Sequence, residues 1–209
     1  FLFAEPDAPV EQRIDLPEGF VSLASRTPPE GAQTALRYLT KRGVTKSDIL
    51  KWKIGFCKDG EYTGRVVIPS FNENGYANYY VARSYDSEWP KYKNPPASRD
   101  IIFNELYVNW DEDLVIVEGV FDAIKAGNGI PLLGSTLREG SALFQAIVKN
   151  GNRVYLALDE DASKKTRSII RLLQRYGVEV YEIDTSGVED VGDMSKKDFQ
   201  SRKDNTAIV

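Results

Sequence analysis

Glu118 and the run Asp159-Glu160-Asp161 are the residues of this chain whose types and spacing could do chemistry. Each follows a short apolar run, Leu114–Val117 and 154–158, that reads as a buried parallel strand. In an open α/β sheet, ligands gather beyond the carboxyl ends of the strands. Two neighbouring strands ending in carboxylates would build one pocket of oxygen donors. Hard cations such as Mg2+ favour that donor set, especially where substrate phosphates complete the shell. On an extended segment Asp159 and Asp161 point to one side and Glu160 to the other, so the pair can hold one cation or bridge two. Glu118 either completes that ligand set or acts as a general base. Packed carboxylates repel and raise one another's pKa, so such a site should be unstable without a cation. Phosphoryl chemistry is what this arrangement implies. The plainer alternative is that Asp159 and Asp161 cap a helix beginning near Ala162.

The remaining composition narrows the options. The 209 residues contain no His and a single Cys, Cys57, so neither His-based catalysis nor a structural zinc site is available, and no internal disulfide can form. A lone Cys fits a reducing compartment, hence a cytoplasmic location (the host's, if the chain is phage-encoded). No apolar run approaches the ~20 residues needed to cross a bilayer, so no membrane partner is expected. The net charge of −4 is unevenly spread. Residues 111–209 hold 13 Lys/Arg against 17 Asp/Glu, whereas residues 1–110 balance 14 against 14. Within the first half, Lys41, Arg42, Lys46, Lys51, Lys53 and Lys58 face Asp48 alone. A basic first half beside an acidic second half fits a polyanion led across a metal site; solvated helix faces are the alternative.

The elements that must position these residues fall into two patterns. Residues 1–30 are rich in Pro and acids and read as a linker or arm. Helices are expected over 32–39, stopped by Gly43, and over 46–52, capped by Thr45. Strands are expected at 54–56 and Arg65–Phe71, the latter turning at Asn74-Gly75 into 76–85. This half, to residue 110, reads as a small α+β subdomain with antiparallel strands. Its proline-rich segment around residues 89–96 reads as a surface loop carrying function or as a linker. From 111 to 200 strand and helix alternate, which implies an α/β parallel sheet flanked by helices. Residues 201–209 read as a tail.

These pieces, in this order, resemble a known family. Residues 114–122, Leu-Val-Ile-Val-Glu-Gly-Val-Phe-Asp, are similar to the first motif of the topoisomerase–primase (Toprim) domain in its primase version. Leu132–Thr136 resembles the small-residue turn after its second strand, 155–161 its Asp-x-Asp motif, and Asp190-Val191-Gly192-Asp193 its third acidic stretch. Upstream, 42–56, 65–69 and 90–95 resemble the amino-terminal subdomain of bacterial and phage DNA primases. The resemblance covers roughly residues 31–200. It implies a Toprim-type sheet and a DNA primase RNA-polymerase core making short RNA primers on single-stranded DNA from ribonucleoside triphosphates. It implies Mg2+ or Mn2+ held by Glu118, Asp159 and Asp161, with Asp122, Asp190 and Asp193 as second-site ligands or orienting groups. It also implies nucleotide or template contacts at Lys91, Lys93, Arg65 and Arg83. A replicative helicase and a single-strand-binding protein are the implied partners, and the family's zinc-binding module is not among these residues. The opening Phe1 suggests a piece of something longer, and the compact, diverged form suggests a phage source. Asp122 alternatively favours a helix N-terminus, and Lys91 and Lys93 alternatively are solvated. Tyr79, Tyr80, Trp89 and Tyr92 either stack on unpaired bases or pack in a core. A Toprim nuclease, or a nucleic-acid-binding accessory with a relict site, are the competing readings.

Overall fold

In the computed structural model, described here for residues 11–86, 89–188 and 191–209, two four-stranded sheets share one core. The first half runs β1 (Phe20–Ser22), α1 (Gln33–Lys41), α2 (Lys46–Lys51), β2 (Gly55–Cys57), β3 (Arg65–Phe71) and β4 (Ala77–Ser84). The four strands are antiparallel in the order β1-β2-β3-β4. Local chemistry explains the helix at 46: Thr45 accepts from the Asp48 backbone N–H while Asp48 accepts from the Thr45 N–H, a reciprocal cap.

Alternation along β3 and β4 gives this sheet two different faces. Val66, Ile68, Tyr79 and Val81 join Ala35 and Leu39 of α1 in the main core. Val67, Tyr80, Ala82 and Cys57 form a second layer covered by Ile14, Leu16, Phe20 and Tyr62. The stretch 11–30, expected from its prolines to be a linker or arm, is therefore built in. The Ile14 N–H donates to Ala77 (2.9 Å), the Gln12 amide donates to the Asn78 carbonyl (2.7 Å), and β1 pairs with β2. Proline cannot donate to a ladder, but it leaves an edge segment free to cover a sheet. The proline-rich segment likewise pairs: Lys91 O accepts from Ser84 (3.1 Å) and the Lys93 N–H donates to Ala82 (2.9 Å), so 91–93 runs along β4.

The second half runs β5 (Leu114–Val117), α3 (Val120–Ala126), β6 (Gly129–Pro131), α4 (Ala142–Asn150), β7 (Val154–Ala157), α5 (Ser163–Arg175), β8 (Val180–Glu182) and α6 (Lys196–Asp204). Its sheet is wholly parallel in the order β6-β5-β7-β8, the α/β arrangement expected of the alternating pattern. Leu114 and Ile116 of β5 face Phe144 and Ile147 of α4 and Ile169 and Leu173 of α5. Val115 and Val117 face the other way and join Phe121 and Ile124 of α3 in the main core with α1 and the antiparallel sheet. Coverage of both faces is why these strands are continuous apolar runs. The end of the chain, expected to be a tail, lies beside β8: the Val209 N–H donates to Val180 (3.1 Å) and Ile208 bridges to Tyr181. No described helix is long and apolar enough to cross a membrane.

Candidate active site between the two sheets

Strands β5 and β7 are hydrogen-bonded neighbours with Val117 beside Ala157, so Glu118 and Asp159 leave adjacent strand ends on the same edge of the sheet. Glu118 is held at both levels. Its backbone carbonyl accepts from Leu133 in the turn after β6 (3.1 Å), and its carboxylate lies against Lys165 of α5. The Lys165 ammonium donates to both carboxylate oxygens, at 2.8 and 2.7 Å, and each side chain keeps only about a fifth of its surface in solvent. Lys165 was not singled out in the sequence, although its place four residues after Asp161 on a helix starting at the acidic edge was legible.

The aspartate pair is arranged differently from the expectation. Asp159 is extended, but residues Glu160–Ala162 form a 3-10 turn, with the Ala162 N–H donating to the Asp159 carbonyl (2.9 Å). Asp161 therefore belongs to a helical turn and is exposed, and the same-side alternation of an extended segment does not apply. The turn forms because α5 starts immediately afterwards. Among the described residues no three carboxylates come together in a group able to hold a metal ion. The mutual repulsion anticipated at Glu118 is met instead by a cation from the protein, Lys165. Asp159 lines a cleft of about 480 Å3 with Ser163, Thr166, Glu182, Asp184 and Thr185, at the carboxyl ends of β7 and β8.

Asp122 is buried in the first turn of α3 and accepts from the Gly119 N–H at 2.8 Å, the helix-terminal role raised as its alternative. Asp193 is exposed and ion-paired with Arg42 (3.7 Å). Asp190 lies outside the described residues.

Cations and rings from the first half of the chain gather about Phe121 of α3 and about Tyr92. The Arg42 guanidinium sits over Phe121 of α3 (4.5 Å), and Tyr38 meets the same ring edge-on (6.2 Å between centroids). Arg83 lies over Tyr92 (4.7 Å). The Tyr38 hydroxyl and the Arg83 Nε are buried without a hydrogen-bond partner among the described residues. Lys125 of α3, buried, donates to the Arg42 carbonyl (2.8 Å); burial pushes its ammonium below the ordinary lysine value, and Lys196 adds repulsion. These bonds tie α3, which follows Glu118, to the turn after α1.

The four basic residues anticipated as one contact set do not share a surface. Arg83 shares the strand face of Val81 and Tyr79, towards the parallel sheet; Arg65, buried, shares that of Val67 on the opposite side. Lys93 is paired with Glu61 (2.8 Å) and lies over Tyr62, while Lys91 is exposed. Tyr79 and Tyr80 are buried in the two layers, so of the four aromatics only Trp89 and Tyr92 offer surface. Arg42, Tyr38 and Phe121 were missed as a cluster because nothing in the spacing links residues so distant in the chain.

No family model matches the sequence. It is 28% identical over 152 residues to a DNA primase of Thermotoga maritima, covering 64% of this chain and 26% of the relative. It is also 28% identical over 204 residues to a DNA primase of Halalkalibacterium halodurans, covering 72% and 33%. The chain thus spans about a quarter to a third of the length of these relatives. The Aquifex aeolicus primase, solved with its zinc-binding and RNA polymerase domains, superposes with a TM-score of 0.72 at 21% identity, covering 90% of this chain and 58% of that one. A DnaG primase catalytic domain bound to single-stranded DNA gives 0.71 at 18%, covering 86% and 74%, and the E. coli primase catalytic core 0.68 at 18%, covering 90% and 76%. An antiparallel four-stranded sheet followed by a parallel one with helices is the fold of the DNA primase catalytic core, and this chain has that fold.

Proposed function

We propose that this chain is the catalytic core of a DNA primase, joining ribonucleotides into short RNA primers on a single-stranded DNA template. The observation that carries the reading is that Glu118 and Asp159 leave adjacent parallel strand ends, while α3, the helix that follows Glu118, carries Arg42 of the first half of the chain on its Phe121 ring. The donor type, though not yet a gathered set among the described residues, suits a hard divalent cation: Glu118, Asp159 and Asp161 offer carboxylate oxygens only, and the Lys165 ammonium on Glu118 holds a place a cation would contest. Those three would hold Mg2+ or Mn2+, which supplies charge neutralisation at the triphosphate and its leaving pyrophosphate.

The chain's own groups supply positioning. Arg83, whose buried Nε lacks a partner among the described residues, and Arg42 would take phosphate oxygens as bidentate donors. Asp193 orients Arg42, and Asp122 orients the start of α3; Asp190 would add a further acidic group. Trp89 and Tyr92 offer ring faces for unpaired template bases. Lys91 and Lys93 extend a phosphate track on the far side of β4, and Arg65 supports it from within the layer. Ribonucleoside triphosphates and single-stranded DNA are the substrates of this reading, a replicative helicase and a single-strand-binding protein its partners, and the cytoplasm its place.

Incubation with single-stranded DNA, labelled ribonucleotides and Mg2+ or Mn2+ should yield short oligoribonucleotides. Asp159→Asn should reduce synthesis by two or more orders of magnitude with the melting temperature held within a few degrees, because it removes a charge without opening a cavity. Shortened DNA without RNA products would replace this reading with a Toprim nuclease. Strand binding with neither product would leave an accessory with a relict site.

A further inference from the structure

Helix α5 carries Lys164, Arg167, Arg171 and Arg175 three or four residues apart, so their side chains form one stripe. Opposite it, the turn Leu137-Arg138-Glu139 closes a groove of about 610 Å3 whose wall also includes Leu172. Five cations meet one carboxylate there, in the half of the chain whose overall balance is acidic. Arg175 is paired with Glu139 (3.2 Å) and Arg167 Nε donates to the Ser163 carbonyl (3.2 Å). Lys164, Arg171 and Arg138 are exposed and have no ion-pair partner among the described residues. Like charges so close repel unless an anion screens them. The stripe spans roughly 16 Å along the helix axis, enough for several successive phosphates.

Two features favour a nucleic-acid backbone over a lipid surface. The cations line a concave groove rather than a convex face, and its apolar members are packed inward, Leu137 within the core and Leu172 against it, leaving nothing to insert into a bilayer. One stripe of cations along a single helix follows one sugar-phosphate backbone. Position adds a direction. Helix α5 crosses from β7 to the parallel β8, so it starts at the strand ends that carry Asp159 and runs towards the opposite edge of the sheet.

We propose that the groove between α5 and Arg138 is a second binding track for single-stranded nucleic acid, holding sugar-phosphate backbone by charge and without base readout, and leading away from the acidic edge. The direction rests on the primase reading; the polyanion site does not.

The test is binding of a fluorescent oligothymidylate to the full chain, without nucleotides or divalent metal. Arg167→Glu/Arg171→Glu should weaken binding on the order of ten-fold and make the salt dependence shallower by roughly 1.4 in log-log slope. Arg167→Gln/Arg171→Gln should give a smaller loss in the same direction with an unaltered melting temperature, which separates lost charge from lost fold. Binding is read without nucleotides or metal, so a chain that makes no primers can still prove the groove. Parental affinity and salt slope in both double variants would overturn the proposal, as would lost retention on phosphatidylserine vesicles with DNA binding intact.

Discussion

Lys165 is the residue on which the charge balance of the acidic edge turns. Its ammonium on both oxygens of Glu118 does part of what a divalent cation would do there, so the two should compete. Lys165→Met should lower the melting temperature in EDTA by about 2–4 °C, as expected for loss of roughly 1 kcal/mol from a pair still one-fifth in solvent in a chain of this size. It should also enlarge the rise in melting temperature that Mg2+ produces. A thermal titration giving variant and parent the same Mg2+ response would remove Lys165 from that role. Glu118 itself was legible from the sequence, because an acid directly after a buried run has few other uses. Its partner was not, since no spacing rule connects residues 118 and 165. Asp161 shows the complementary error: alternation is valid for an extended segment, and the segment turns into a helix one residue too soon.

Among the elements, α6 shows how the end of the chain is fixed to its beginning. Lys196 at its start pairs with Asp48 of α2, a side chain almost entirely withdrawn from solvent. Burial by itself would raise the Asp48 pKa, but hydrogen bonds from Lys196 and Thr45 outweigh it and hold the carboxyl below its ordinary value. A group depressed in the folded state stabilises above its unfolded pKa, and that stabilisation is lost as pH falls through the folded value. Asp48→Asn should therefore cost stability at neutral pH and flatten the loss seen below about pH 4 in urea unfolding. An unchanged acid slope would deny Asp48 that part. Lys196→Ala should cost about 1 kcal/mol at neutral pH, a modest figure because Lys196 is nearly half exposed. The Thr45 cap was readable in sequence, since the hydroxyl and its N3 partner are local. The ion pair across 148 residues was not.

For the whole molecule, the decisive feature is that one core serves both sheets. Val117, Phe121 and Ile124 pack in the same cluster as Leu39, Phe56 and Val81. The apparent division near residue 110 is thus a change of chain pattern rather than a gap in packing. Calorimetry should show a single unfolding transition, with calorimetric and van't Hoff enthalpies equal. Phe121→Ala should lower the stability of the whole by about 3–5 kcal/mol. It should also loosen Arg42, whose guanidinium rests on that ring. Two separable transitions, or a loss confined to one half, would contradict a shared core.

What the amino-acid order determined by itself was everything governed by near neighbours. Strand and helix periods, the Thr45 cap, the Asn74-Gly75 turn and the acids after β5 and β7 all follow from residues a few places apart. The order of the parallel sheet is not among them: β7 lies beside β5 and not beside β6, the strand that precedes it. Tertiary structure alone decided which charges meet: Lys165 with Glu118, Asp193 with Arg42, Arg65 and Arg83 on opposite faces, and five cations along one groove in an acidic half. Electrostatic partners are chosen by distance in space after the apolar faces have been buried, and a linear count of charge carries no record of that choice.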